Sequence, residues 1–468
     1  MKKRILTFGF AISAIFTIIG CGGGNLSNTN GGAIIGNNAL VPYSPTVANQ
    51  REVIYKTDTT PSATSLFSNG VLATVPANYS KEIINSIELD NNYLFVTNNK
   101  TRTTGCNFSG CPQTQFLYLV DKNTGAATMT NFTANLNLFG YSLIYQISKQ
   151  NSRYVFSNAI SNTLDYRLDK IDTHTGITSQ ITLNGTDVVL APLNGKSIAE
   201  DSDNIYFTSI DSTSHSVFNT YKIETNNNDN IVDYPGLVNY HTVNLFVINN
   251  KLIMFALANN NASPVIAEGL YIADKTNPSA SPTAISNSVS GVVDFATKID
   301  NKIYFETQDT VNLNYYLYVL DPSQPINNAL TKLETINRSA DGKVENIFKY
   351  NGNIYFVQKN KLHKTDGSTP NSATVVLSNL ANSTSGDNKI YQADGKLYYR
   401  GSQTATGKEL WIYDGTTSTR LTDINPGNGD SNPKNILELN GKIVFQATPD
   451  GANNKLYSLD GTTLTPLN

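Results

Sequence analysis

The sequence predicts an all-β protein, on three observations. Apolar and aromatic residues alternate over runs of five to eight, the turns between them are built from Asn, Asp and Gly, and one strand-turn pattern recurs along almost the whole chain. Across 468 residues Tyr (25) and Phe (19) are abundant while Met (3) and Trp (1) are scarce. That composition favours half-buried strands over helices. No stretch of eleven or more residues carries a helical apolar period.

The recurring unit has two parts. The first is an apolar segment, an Asn/Asp/Gly turn and a strand rich in Tyr and Phe, at 90–96, 150–156, 202–207, 249–255, 300–305, 350–356, 394–399 and 439–445. After each comes a Leu-Tyr-like strand ending on an acidic residue where the chain turns: Asp121, Asp172, Glu224, Asp274, Asp321, Asp366, Asp414 and Asp460. The copies are spaced by roughly fifty residues, a period typical of blades or solenoid coils. Four short strands per unit make a sheet that is apolar on both faces and must stack on its neighbours; radial stacking with ring closure removes the exposed ends. The expected architecture is therefore a β-propeller of four-stranded antiparallel blades, eight by direct count with seven as the alternative. A linear β-solenoid fits less well, because its coils are usually shorter and more regular. An isolated copy of the second part, at 52–58, stands before the first full unit and suggests an N-terminal half-repeat that either helps to close the ring or lies outside it.

The clearest copy is ELWIYDGT at 409–416. Leu410 and Ile412 point to one face, Trp411 and Tyr413 to the other, and Asp414-Gly415 supplies the turn. Together with Gly407-Lys408, the run 421–427 and Gly441 to Phe445, it resembles the ELWxxDGT repeat of bacterial exported proteins. The match is close in one repeat and degenerate in the others. The resemblance implies propeller blades and brings no reaction and no catalytic residues. The Asp-x-x-Thr-Gly turns at 121–125 and 172–176 are similar to those of quinoprotein-type propellers, among them the propeller lipoprotein of the outer-membrane barrel assembly machine, but with Trp411 as the single tryptophan the docking that braces those blades is absent.

The N-terminus reads as an export signal. Lys2, Lys3 and Arg4 precede an apolar run from Ile5 to Ile19, which is too short for a membrane span and is followed by Cys21 and three glycines. Ile18-Ile19-Gly20-Cys21 resembles a bacterial lipobox, which implies cleavage after residue 20, lipidation of Cys21 and attachment to the bilayer. By analogy Gly22 favours the outer membrane, with the body facing either the periplasm or the surface. Residues 21–50, rich in Gly, Asn and Ser, are expected to be a flexible tether with an r.m.s. span on the order of 30 Å, and 51–468 the propeller. Cys106 and Cys111, in a turn-rich insertion, are expected to form a local disulfide in an exported protein.

Chemistry is sparse. The net charge of −3, with no basic stripe, removes the footprint of a nucleic-acid partner. His174, His215, His241 and His363 have no metal-like spacing, and there is no nucleophile elbow or phosphate-binding loop. Two Asn-rich acidic loops, one with Asp229 and Asp233 and one running from Asp423 to Asp430, lack the spaced oxygen ligands of a calcium loop. The expectation is thus no catalytic residue, no metal and no cofactor, and a monomer that binds an unidentified protein or surface glycan. The competing readings are a glycan-acting hydrolase or lyase using Asp/Glu at the channel, and an envelope assembly scaffold. Carboxylates gathered at one mouth of the channel would favour the hydrolase.

Overall fold

A computed structural model describes residues 33–35, 37–44, 53–67, 69–70, 79–88, 92–101, 113–136, 147–148, 154–158, 166–172, 175–183, 186–190, 198–210, 217–226, 229–259, 262, 266–286, 293–308, 314–337, 342–381 and 390–468. Among them there is no α-helix, and strands dominate. They build nine four-stranded units in chain order, at 33–66, 79–136, 147–180, 198–233, 241–286, 293–337, 344–377, 390–420 and 434–466. Within each unit the strands follow one another as an antiparallel meander. The second sheet gains a fifth strand, Asn69–Gly70, parallel to its outer edge, and Val189–Leu190 links the third and fourth sheets by pairing with both.

All eight repeats read from the sequence become blades. In the fifth to ninth sheets the first two strands are joined by tight turns that need a left-handed residue: Asn249, Asp300, Asn351-Gly352, Asp394-Gly395 and Asn440-Gly441 all have positive φ. The Tyr/Phe strand then pairs with the Leu-Tyr-like strand so that aromatic residues stand opposite each other. Register places Phe95 against Tyr118, Phe207 against Tyr221, Phe305 against Tyr318, Phe356 against His363, Tyr399 against Trp411 and Phe445 against Tyr457. Four of these pairs, those of Phe207, Phe305, Phe356 and Phe445, are stacked, with centroids 4.8–5.8 Å apart. His363 fills the aromatic place of the repeat in the seventh sheet. Tyr271 departs from the pattern and stands opposite Met254.

Two expectations are corrected at the N-terminus. The stretch 21–50, expected to be a tether, contains two strands, Ala33–Ile35 and Asn38–Tyr43. The copy at 52–58, expected to be half a repeat, is the third strand, Val53–Thr57, of a complete sheet. The sheets among the described residues therefore number nine, one more than the direct count. The physical cause is burial: Ala39, Leu40, Val41 and Ile54 are fully enclosed. Leu40 and Ile54 pack with Tyr93, Phe95 and Tyr118 of the second sheet, whereas Ala39, Val41 and Tyr43 pack with Leu437, Val444 and Leu456 of the ninth.

This first sheet closes the ring. Apolar clusters fill the seams between consecutive sheets from the third to the ninth, and Leu119 and Thr130 of the second approach Gly176 of the third. The ninth sheet uses only its own four consecutive strands, so closure is by packing and not by a shared strand. Polar side chains tie the same seam: Tyr43 donates to the Asn454 carbonyl (2.8 Å), Asn454 to the Ser44 carbonyl (2.7 Å), the Ser44 N–H to Gln446 Oε1 (3.1 Å), and Asn435 to the Pro42 carbonyl (2.7 Å).

Candidate functional site

The meander divides the ring into two unlike faces. First strands touch one another across three seams, fourth to fifth, sixth to seventh and eighth to ninth, and the second strand of the first sheet meets the first strand of the ninth, so the first-strand edges of the sheets lie innermost. Each first strand runs from one face to the other, and the chain turns, returns, and repeats. The connections within both hairpins of a sheet thus share one face, the turn face, where the second hairpin of the fifth, sixth and seventh sheets carries eight or nine residues, while the connections between second and third strands, and those between sheets, share the opposite face, the loop face. Among the loop-face connections inside a sheet, that of the seventh spans two residues, Lys359 and Asn360, and that of the eighth three, 404–406, whereas the second sheet has eleven between Thr101 and Gln113. A bulge recurs near the loop-face end of the innermost strand, between Thr242 and Asn244, Val293 and Phe295, and Val344 and Asn346, twisting each strand at the mouth of the channel.

Six of the eight acidic residues of the repeat accept hydrogen bonds from their own turns on the turn face, whereas Asp460 meets Lys442 (3.6 Å) and Glu224 meets Lys222 (2.7 Å). Asp414 accepts the N–H groups of Thr416 (2.8 Å) and Thr417 (2.7 Å) on one oxygen and the Thr417 hydroxyl (2.9 Å) on the other. Asp58, Asp121, Asp172, Asp274, Asp321 and Asp366 accept from residues two or three further on in the same way. Seven carboxylates are therefore spread around the ring and not gathered at one mouth. These bonds favour the ionised form. The Thr417 and Thr416 N–H groups hold Asp414 below the usual carboxylate range, the Thr124 N–H does so for Asp121, and hydroxyl bonds from Thr60, Thr276 and Thr369 do so for Asp58, Asp274 and Asp366. A depressed folded value contributes stability that is fully present above the unfolded carboxylate value, near 3.9, and is lost as pH falls through the folded values. Thermal melts should accordingly show no effect of these groups between pH 7 and 5 and a falling midpoint below about pH 4; a midpoint still flat in that acid range would show that the turn carboxylates do not matter to stability.

Glu409 of the best repeat is unlike them. It is fully buried, and its carboxylate accepts the Thr422 hydroxyl (2.7 Å) and the N–H groups of Ile424 (3.1 Å) and Asn425 (3.3 Å). It thereby fixes the connection from the eighth sheet to the ninth. Glu306, also buried, accepts the Val344 N–H (2.7 Å) across the seam between the sixth and seventh sheets. Trp411 packs in the cluster between the seventh and eighth sheets, with its indole against Gly401, where a Cβ would lie 2.5 Å from the ring.

One buried constellation of titratable groups bridges the fourth and fifth sheets. Asp201 Oδ2 accepts from Lys275 Nζ (2.8 Å) and from the Tyr206 hydroxyl (3.0 Å), and the Tyr234 hydroxyl donates to the Lys275 carbonyl (2.5 Å). Burial pushes the Tyr206 phenol far above its usual value and the Tyr234 phenol up to about 12. Both therefore stay protonated, the opposite of what a base requires. Burial also raises Asp201, but the bonds from Lys275, Asp203 and Asn204 outweigh it and keep the carboxyl below its ordinary value. The group reads as a clamp between sheets.

Of the other residues singled out in the sequence, Cys21, Cys106, Cys111, His174 and His215 lie outside the described residues. His241 stacks on Phe218 (centroids 4.1 Å). Three of the four carboxylates of the two acidic loops face cations: Asp229 meets Lys170 (2.5 Å), Asp423 meets Arg420 (3.3 Å) and Asp430 meets Lys408 (2.8 Å). Among the described residues, no three His, Cys, Asp or Glu side chains come together as metal ligands would.

No family model matches the sequence, and no curated protein matches it. Solved structures with a similar course of chain include the β-propeller domain of the Trilobed protease from Pyrococcus furiosus (10% identity, 84% of this chain and 97% of that one, TM-score 0.36). Porphyromonas gingivalis dipeptidyl peptidase 4 is similar over 92% of this chain and 57% of its own length (10% identity, TM-score 0.46), and Pyrococcus horikoshii acylaminoacyl peptidase over 78% and 57% (12% identity, TM-score 0.38). The chain thus spans little more than half the length of those two peptidases. The likeness to these structures is one of chain course alone, and the β-propeller follows from this chain's own closed ring of four-stranded sheets.

Proposed function

We propose that the protein is a bacterial lipoprotein, anchored through an acylated Cys21, whose propeller binds a protein or a surface glycan through its loop face. The observation that carries this reading is the division of labour between the two faces. The side chains that repeat are spent on turns, stacking and seams, and the connections between second and third strands, from two residues in the seventh sheet to eleven in the second, leave from the face that also carries the links between sheets; variable connections of this kind are where binding residues on a rigid scaffold are usually found. The dispersed, internally bonded carboxylates favour a binding module over a glycan-cleaving enzyme, whose two carboxyls must flank one bond roughly 5–9.5 Å apart. Outer-membrane placement and a Cys106–Cys111 disulfide belong to the same proposal.

The test has two parts. Replacing Cys21 by Ala should move the full-length protein from the membrane fraction to the soluble one, because the acyl chains contribute about 0.8 kcal/mol per buried methylene; a variant that stays with the membrane would overturn the anchor. Photo-crosslinking in cells from Ala405, on the loop face, should capture a discrete partner that a probe at Thr416, on the turn face, does not. Identical capture from both faces would overturn the loop face as the binding surface.

A further inference from the structure

The first sheet has a consequence for how the ring sits on the membrane. Its orientation is fixed by its contacts: Tyr43 and Ser44, at the end of the second strand, meet Asn454 and Gln446 on the loop face of the ninth sheet, while the Thr59 carbonyl, in the turn between third and fourth strands, accepts from Ser458 towards the turn face. The first strand, Ala33–Ile35, pairs antiparallel with the second. It therefore runs from the loop side towards the turn side, and the chain enters the ring from the loop side, at an innermost strand.

Only eleven residues, 22–32, separate Cys21 from that strand. Fully extended they reach about 36–40 Å, and as a Gly-rich coil their r.m.s. span is about 18 Å. A path from the innermost strand out past three further strands at ~4.8 Å spacing, round the rim and down the outer wall to the turn face is roughly 45 Å. The short link reaches a bilayer below the loop face easily and one below the turn face not at all by the outside.

We infer that the loop face is turned towards the lipid bilayer, with the turn face pointing away. The inference rests on the lipid anchor proposed above and adds to it a direction. The surface with the variable connections then lies within about 20–40 Å of the headgroups. Its occupant is a membrane-seated partner, since a soluble one would have to enter the gap from the side.

Energy transfer to headgroup-labelled lipid tests the direction. The full-length lipidated protein, purified from membranes and returned to phosphatidylethanolamine/phosphatidylglycerol vesicles, would carry a donor dye on an azide-bearing residue at either Ala405 or Thr416. These exposed positions lie at opposite ends of Gly407–Tyr413 in the same sheet, so they sit roughly 20 Å apart along the ring axis. The expected result is transfer from position 405 at least about twofold that from position 416, with the difference shrinking when about twenty Gly/Ser residues are inserted into 22–32. Equal or reversed transfer in protein that is vesicle-bound through Cys21 would overturn the inference; a reversal would mean that the link returns through the ring. Protein whose vesicle binding survives Cys21→Ala would instead overturn the anchor, so the two failures are told apart.

Discussion

Excision of residues 33–67 is expected to abolish the single cooperative unfolding transition of the protein. If this segment were a tether, its loss would leave the melt unchanged. As the first sheet, it covers Tyr93, Phe95 and Tyr118 on one side and Leu437, Val444 and Leu456 on the other. Fully burying each large aliphatic or aromatic side chain is worth about 1.5–3 kcal/mol, so exposing both seam faces costs on the order of 10 kcal/mol. That equals the whole stability of a typical domain, about 5–15 kcal/mol. The excised protein should bind a hydrophobic dye in its native buffer and aggregate on warming, whereas Leu40→Ala, which leaves the sheet in place, should lower stability by about 2–5 kcal/mol. A cooperative melt of unaltered midpoint after excision would show that the ring does not depend on this sheet. A ring closed without a shared strand has no hydrogen-bonded latch, which is why the apolar seam and its side-chain ties must carry closure alone.

The sequence reveals the blades and hides the seal for one reason: turn chemistry is local, whereas burial at a seam is not. Asn351-Gly352, Asp394-Gly395 and Asp414-Gly415 announce their hairpins because few other residues accept those backbone angles. The aromatic pairs announce the second and third strands by alternation. In contrast, Ala33–Ile35 and Asn38–Tyr43 are short, one contains Pro42, and Gly36-Asn37 between them looks like more linker. Nothing in those residues says that Val41 will meet Leu437, some four hundred positions away. The candidate site shows the same limit. That Asp414 and Asp366 serve their own turns is legible, because their partners lie two or three residues on. That Glu409 holds the connection to the next sheet is not, although an acid leading straight into the apolar run Leu410–Tyr413 of a strand buried on both faces was itself a signal that a partner had to exist. Which face bears the variable connections followed only once the meander had given each strand a direction.

The role of Glu409 separates a clamp from a catalytic acid by its response to substitution. Glu409→Ala removes the acceptor for one hydroxyl and two backbone N–H groups in a site with no exposed surface. An unsatisfied buried donor costs roughly 1–3 kcal/mol, and with partial relaxation the expected loss is about 4 kcal/mol. Glu409→Gln keeps one oxygen but turns an amide N–H₂ towards donors, and should lose about half as much. If the carboxylate acts through Thr422 and the backbone as drawn, Thr422→Val will cost less in the Glu409→Ala background than in the wild type, by roughly 1 kcal/mol in a double-mutant cycle. A catalytic acid would behave in the opposite way, with Glu409→Gln leaving the denaturation midpoint in place. Urea titrations of the wild type and the four variants decide between them. A stable Glu409→Ala variant would remove the clamp and return this residue, and the one repeat that preserves it best, to the list of places where chemistry must be sought.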